Sequence, residues 1–259
     1  MAMPGSTGQP TLTLSRVAFD AVLFDLDGVI TRTAKLHIAA WKTMFDDYLE
    51  QRARRLGETF QPFDPDRDYR EFVDGKARHD GVVGFLASRG IVLPLGDPGD
   101  PPERESVWGL ANRKNRLYLD LLATRGVEVF PSTLTLIRRL RALGFKVAVV
   151  SASKNCAEVL RAAGIAALFD ARVDGLDLER DRLRGKPAPD SFLAAARRLG
   201  VDPARAVVVE DAIAGVQAGR AGRFGGVLGV DRTGHRDALA AAGAHWVVAD
   251  LEEVAAVPA

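Results

Sequence analysis

The stretch Ala21–Ile30, AVLFDLDGVI, is an apolar run that stops at two carboxylates one residue apart, Asp25 and Asp27, followed at once by Gly28. An apolar run bounded by turn residues reads as a buried parallel strand, which leaves both aspartates at its carboxyl end. Open α/β sheets carry their chemistry at that edge. Taken alone, D-x-D-G is equally a solvated turn at a strand end, so the rest of the chain has to decide.

Downstream the same pattern returns. Phe145–Val150, FKVAVV, runs straight into Ser151-Ala152-Ser153-Lys154-Asn155 and a helical segment. A strand followed by small hydroxyl residues at a helix start suits an anion, because free amide hydrogens and the helix dipole both favour negative charge there. Simple capping by Ser153 is the plainer alternative. Ala206–Val209 is a third strong strand and ends in Glu210-Asp211, while Gly185–Asp190 is a proline-framed turn that holds Lys186 before a helix capped by Asp190. If these strands are neighbours, four carboxylates converge on one edge and repel unless a cation sits among them. A hard divalent ion with oxygen ligands, Mg²⁺, is the natural occupant, and phosphate chemistry follows.

Working outward, residues 1–16 are rich in Gly, Pro, Ser and Thr and read as a disordered lead-in, with the first strand near Val17. After Gly28 the period changes to helical, and Thr33, His37 and Trp41 recur every four residues on one face. By pattern alone that face reads as a core histidine beside a tryptophan, with a functional role as the alternative. Residues 32–122 read as an all-helical insertion: a helix to about Leu49, a break at 62–68, a helix over 80–89, a proline-rich loop over 91–102, and a helix from about Glu103 to Leu122. Inside it, Val73–Arg78 surrounds Gly75 and presents Lys76 and Arg78, either as a surface turn or as a lid contact to an anion. Beyond Phe130 the chain alternates strand and helix. Ser132 is expected to cap a helix, and strands are expected near 169–173, 226–230 and 245–248 with a short helix last. The Ala-Gly pairs at 214–215, 218–219 and 221–222 suit close helix packing on the sheet. His235 and His245 have no evident partner. The fold expected is a Rossmann-like, doubly wound α/β core over 17–31 and 123–259 with an inserted helical cap over 32–122.

The chain has 259 residues, 47% of them hydrophobic and 27% charged, which is ordinary for a globular enzyme and excludes disordered and fibrous classes. A net charge of +1 gives no footprint for nucleic acid, and Arg52–Arg55 reads as a solvated helix face. The one cysteine, Cys156, excludes an internal disulfide and a cysteine-rich zinc site. No apolar run approaches the roughly 18 residues of a membrane span, and the N-terminus lacks the apolar core of a signal peptide. A monomeric cytoplasmic enzyme acting on a small molecule is expected, without nucleic-acid or membrane partners.

D-L-D-G-V-I, V-S-A-S-K-N, K-P-A-P-D and E-D-A-I-A-G-V-Q-A, in this order and spacing, resemble the haloacid dehalogenase superfamily, most closely its β-phosphoglucomutase branch, with the helical insertion in the position of the cap. The resemblance implies that Asp25 is a nucleophile forming an aspartyl phosphate. It implies that Asp27 is the general acid and base while its backbone carbonyl ligates Mg²⁺, and that Glu210 and Asp211 complete the metal site with Asp25. Ser151 and Lys186 would hold the transferring phosphoryl group. Arg78, Ser153, Lys154 and Asn155, with Ala152 between, would grip a second phosphate, and Thr33, His37, Trp41 and Gly75 would belong to the hinge end and loop of the cap that meet the sugar. Arg113, Lys114 and Asn115 match a cap segment. Arg32, Asp74 and the longer cap segments at 52–68 and 95–104 depart from the branch pattern, which bears on the sugar more than on the chemistry. The activity implied is conversion of β-glucose 1-phosphate to glucose 6-phosphate through glucose 1,6-bisphosphate. A sugar-phosphate phosphatase is the alternative, and a non-catalytic sugar-phosphate sensor a remoter one.

Overall fold

The computed structural model describes residues 12–259. In chain order the elements are β1 (Leu12–Ser15), β2 (Ala21–Phe24), α1 (Ala34–Leu56), a π-helical turn (Tyr69–Val73), α2 (Arg78–Ser88), α3 (Val107–Arg125), α4 (Pro131–Ala142), β3 (Lys146–Val150), α5 (Cys156–Ala162), β4 (Ala171–Val173), α6 (Gly175–Arg180), α7 (Asp190–Leu199), β5 (Ala206–Glu210), α8 (Ile213–Ala221), β6 (Gly226–Val230), α9 (Arg236–Ala241), β7 (Trp246–Val248) and β8 (Val254–Val257). Six parallel strands form the main sheet in the order β4-β3-β2-β5-β6-β7. The protein is thus an α/β core of Rossmann type with a helical cap inserted after β2.

The apolar run at Ala21 is the centre of this sheet. Phe24 is in register with Val149 of β3 and with Val209 of β5, so the residues that follow these three positions lie side by side at one edge. Val22, Phe24, Val147, Val149, Val207 and Val209 pack on one side of the sheet with Leu136, Ile137 and Leu140 of α4. Leu23, Ala148, Val150 and Val208 pack on the other with Phe192 and Ala195 of α7. Both faces are covered, which is why these strands read as continuous apolar runs instead of alternating ones.

The cap has its own core. Phe45 lies 5.2 Å from Phe63 and 4.2 Å from Phe85, ring centre to ring centre, and Trp41, Met44 and Leu110 close around them. Helix α1 runs on to Leu56, a turn and more past the expected end, because Leu49 and Ala53 continue the buried stripe; Gly57, in the left-handed region at φ 68°, then ends it.

Several local expectations are corrected. Leu12–Ser15 is not part of a lead-in but a strand paired in parallel with β8, and Leu14 is fully buried; Val17, where the first strand was expected, is 69% exposed. The rest of that lead-in, residues 1–11, lies outside the described residues. Strand β8 and helix α6 were not foreseen, being short and without a clear period. Ser132 does not cap α4, whose cap position is Phe130 with proline next. Asp190 is the first residue of α7 and holds Arg184 at 3.0 Å instead of capping. The histidines without evident partners have them: His235 Nδ1 lies 2.9 Å from Arg70 Nη1 of the cap, and His245 Nδ1 accepts the Val227 amide at 2.9 Å.

Candidate active site

Because β2, β3 and β5 end level, Asp25, Ser151 and Glu210 meet at the carboxyl edge, and all three are buried. The Asp25 amide donates to Val209 O at 2.9 Å and that of Ser151 to Val173 O at 3.0 Å, so the strand ladder itself holds these residues in place. Lys186, 4% exposed, reaches in from the turn before α7 and places Nζ 2.5 Å from both Asp25 Oδ1 and Glu210 Oε1. Burial by itself would lower the Lys186 ammonium, but the two carboxylates raise it above its ordinary value and keep it charged. The other Glu210 oxygen accepts the amides of Asp211 and Ala212, each at 3.0 Å.

Asp25, Glu210 and Asp211 each bring a carboxylate oxygen within 4.8 Å of the others. One lysine cannot balance two buried carboxylates and a third that is half-buried. Burial pushes Asp25 well above its usual value against the pull of Lys186, and pushes Asp211 up as well, with Asp74, Glu210 and Asp25 adding to the repulsion. Excess negative charge on hard oxygen donors is the setting that a divalent cation relieves, so the residues present fit Mg²⁺. The fourth carboxylate expected in this group, Asp27, is not with the others.

Its side chain turns instead to the start of the cap. Thr33 Oγ1 donates to Asp27 Oδ1, and His37 Nε2 lies 3.4 Å from the same oxygen. Burial alone would raise Asp27, yet His37 and Thr33 hold it below the usual carboxylate range. Lys114 Nζ of α3 stands 2.6 Å from His37 Nδ1. Burial and the nearby Lys114 lower His37, favouring the neutral ring; the tautomer that accepts from Lys114 at Nδ1 leaves Nε2–H facing Asp27. Lys114 itself is pushed down to about 7 by burial, with Arg78 adding repulsion. Its ammonium lies 5.1 Å over Trp41 and 5.0 Å over Tyr118, and Tyr118 stacks on His37 at 4.0 Å. The Thr33, His37 and Trp41 face therefore lies against the acid pair; it is not merely core.

At the other end, Ser151 Oγ accepts the Ser153 amide at 3.1 Å and Ser153 Oγ the Asn155 amide at 3.2 Å. These are successive turns, not a cap: the cap position of α5 is Asn155, whose side chain makes no capping bond. It donates across the cleft to Asn115 Oδ1 at 2.9 Å, joining core to cap. Lys154 pairs with Glu179 at 2.7 Å. Arg78 Nη1 is buried without a hydrogen-bond partner.

A chamber of about 60 Å³ lies between these groups, lined by Asp25, Asp27, Ser151, Ala152, Ser153, Lys154, Asn155 and Asp211 of the core and by His37, Trp41, Gly75 and Arg78 of the cap. Thr33, Lys186 and Glu210 stand behind its wall. Gly75, at φ 69°, brings the cap loop so close that a Cβ there would lie 3.2 Å from Ala212 Cβ. Tyr69, Asp74 and Lys114 also line the chamber without having been assigned to it from sequence. Lys114 carried a signal, as a lysine in the helical period Leu110, Ala111, Lys114, Tyr118 whose other members are apolar or aromatic and buried. Asp74 is raised to about 7, chiefly by burial and then by Glu210, which places a cap carboxylate near the acidic cluster. Arg32, the other departure, turns away, with its guanidinium 4.3 Å over Phe130.

Comparison with known proteins agrees with this geometry. The family model for haloacid dehalogenase-like hydrolase matches residues 19–223. The chain is 52% identical over 238 residues to a β-phosphoglucomutase of Mycobacterium tuberculosis, covering 90% of each. It is 44% identical over 146 residues to a trehalose-phosphate phosphatase of Mycobacterium leprae, covering 55% of this chain and 32% of that protein. Among solved structures, β-phosphoglucomutase from Clostridium difficile superposes with a TM-score of 0.68 at 27% identity, covering 91% of this chain and 92% of that one. With its four sequence motifs assembled at one sheet edge under a helical cap, this chain belongs to the haloacid dehalogenase-like hydrolase family, in the β-phosphoglucomutase-like branch.

Proposed function

We propose that the protein is a Mg²⁺-dependent β-phosphoglucomutase, converting β-glucose 1-phosphate to glucose 6-phosphate through glucose 1,6-bisphosphate. The observation that carries this reading is the division of labour between the two aspartates. Asp25 sits with Lys186 and the metal-type acids, while Asp27 sits with Thr33, His37 and Lys114.

Asp25 is the nucleophile: its carboxylate oxygen bonds to phosphorus as the phosphorus–oxygen bond to the donor sugar breaks. Asp27 gives its proton to the departing sugar oxygen and takes one back from the accepting hydroxyl in the return transfer. For that it must be protonated when the donor binds; His37 and Thr33 favour its charged form, the form that takes the proton back from the accepting hydroxyl. A cap over the chamber excludes water as an acceptor. Ser151 and Lys186 hold the transferring phosphoryl group, and Arg78, Ser153, Lys154 and Asn155 hold the second phosphate while the bisphosphate turns. Asp25, Glu210 and Asp211, with the Asp27 carbonyl, would hold Mg²⁺, whose chemistry when bound is to neutralise charge at the phosphoryl oxygens.

Purified protein given β-glucose 1-phosphate, Mg²⁺ and a trace of glucose 1,6-bisphosphate is expected to yield glucose 6-phosphate. Release of inorganic phosphate without glucose 6-phosphate would instead favour the second reading, a sugar-phosphate phosphatase, which the Mycobacterium leprae relative supports. Turnover that persists in Asp25→Asn would overturn both.

A further inference from the structure

Arg232 belongs to none of the four motifs and does not line the chamber. It stands in the loop that leaves β6, the strand beside β5, and its side chain is only 14% exposed. Asp231 Oδ1 ties that loop down by accepting the amides of Gly234 and His235, each at 2.7 Å. The guanidinium is fixed from behind by Asp250, whose Oδ2 lies 2.5 Å from Nη1 and whose Oδ1 accepts the Glu252 amide at 2.9 Å.

What Arg232 then holds is the chain that joins core to cap. Two linkers make that connection, one over 25–33 going out and one over 126–130 coming back. They run side by side: the Arg32 amide donates to Glu128 O and the Phe130 amide to Ile30 O, both at 2.9 Å. Arg232 touches both. Its Nε donates to Gly28 O at 3.2 Å in the outgoing linker, and its guanidinium lies 3.8 Å from the centre of the Phe130 ring in the returning one. A planar group with several donors can make such a double grip, which an ammonium on a flexible stem cannot. The third nitrogen, Nη2, is buried without a hydrogen-bond partner among the described residues. An apolar side chain would fill the space without that cost, so the other contacts are what the arginine supplies.

Gly28 matters because the turn it opens carries Asp27. The Gly28 amide donates to Thr31 O at 2.7 Å. Thr31 Oγ1 lies 2.5 Å from Thr33 Oγ1, which in turn donates to Asp27. We infer that Arg232 is a positioning residue of the reaction: by clamping the Gly28 turn and the returning linker to the core together, it holds the Asp27 carboxyl where it meets the sugar oxygen. This role rests on the reading that Asp27 is the acid and base of the chamber.

The test compares two phosphoryl donors in Mg²⁺. A sugar oxygen must be protonated as it leaves, whereas the acetate of acetyl phosphate departs as a stable anion and needs no acid. In Arg232→Met the conversion of β-glucose 1-phosphate is expected to fall about tenfold or more, the scale of a misplaced acid, with KM little changed. Release of acetate in the first turnover, as Asp25 takes the phosphoryl group, should be retained. Amide exchange is a second readout that needs no substrate: amides of 28–33 and 128–130 should exchange faster in the variant while those of α3 and β5 do not. Arg232→Lys, which keeps the charge beside Asp250, should hold its melting temperature and show the same selective loss.

Full conversion in Arg232→Lys would mean that the charge beside Asp250 suffices, and overturns the positioning role. Equal loss with both donors overturns it too, as does exchange that is unchanged in the linkers or faster throughout. A parent that only hydrolyses sugar phosphates sinks the mutase reading and not this one, because glucose 6-phosphate hydrolysis needs the same acid and replaces conversion in the comparison. Conversion that survives Asp27→Asn sinks the reading of Asp27 and the role of Arg232 with it.

Discussion

Gly28 faces Asp211 so closely that a Cβ built on it would lie 1.7 Å from Asp211 Oδ2, and its backbone is in the left-handed region at φ 89°. The glycine after the acid pair thus makes room for a carboxylate that arrives from β5, far along the chain. Gly28→Ala is expected to displace Asp211 and to destabilise the fold by about 1–3 kcal/mol, the usual range for a side chain forced into a sparsely populated backbone region. Thermal unfolding with and without Mg²⁺ checks this: the parent should be stabilised by the ion and the variant should not. An equal Mg²⁺ response in both would show that Asp211 is not a ligand.

Lys186 is the counter-charge of the buried acids, 2.5 Å from Asp25 and from Glu210. Lys186→Met leaves both carboxylates unpaired and should cost about 3–5 kcal/mol near neutral pH. The loss should shrink as pH falls, since Asp25, raised above its usual value, takes up a proton and the repulsion is relieved. Chemical unfolding at pH 7.5 and at pH 5 would reveal it; a loss equal at both would mean that Lys186 acts by packing alone.

Lys114 is pushed down to about 7 from its ordinary 10.5. Between those values the unfolded chain holds a proton that the folded chain has released, so stability rises with pH through that window and the full penalty applies below it. Lys114→Met should abolish that slope and raise stability at pH 6 by roughly 1–4 kcal/mol, while slowing turnover because His37 loses its partner. Unfolding free energies from pH 6 to pH 10 decide the first point. A slope that survives the substitution would assign it to another group.

Asn155 of the core and Asn115 of the cap are joined by a hydrogen bond of 2.9 Å. Asn115→Ala should weaken closure by about 1 kcal/mol and admit water as a competing acceptor. The product ratio is the measurement: inorganic phosphate per glucose 6-phosphate should rise. A fall in both products in equal proportion would show that the bond does not guard the chamber.

Gly215 separates two explanations of the small residues in α8. A Cβ there would lie 1.8 Å from Glu210 Oε1, whereas at Gly219 it would meet Val227 at 3.0 Å. Close packing on the sheet, expected from the Ala-Gly repeats, holds for Gly219, but Gly215 is a cradle for a catalytic-edge carboxylate. Gly215→Ala should therefore cost more activity than Gly219→Ala at comparable melting temperature.

The order of chemistry along the chain was legible because each piece is local. An apolar run, a pair of acids and a glycine lie within ten residues, and four such pieces in order suffice for the family and for the sheet edge where Asp25, Ser151 and Glu210 meet. What short segments without a period would do was not legible: Leu12–Ser15 and Val254–Val257 acquire their meaning only by pairing with each other.

Residue types and spacing by themselves determined the parallel core, the inserted helices and the acids at the strand ends, since burial on both faces of a sheet writes itself into the chain as continuous apolar runs. Only the tertiary structure decided that Asp27 leaves the other acids for Thr33 and His37, that Lys114 stands behind His37, and that Gly28 and Gly215 make room for carboxylates. Each is a contact or a near approach between side chains placed by different elements, and its geometry depends on how cap and core close, which no local pattern encodes.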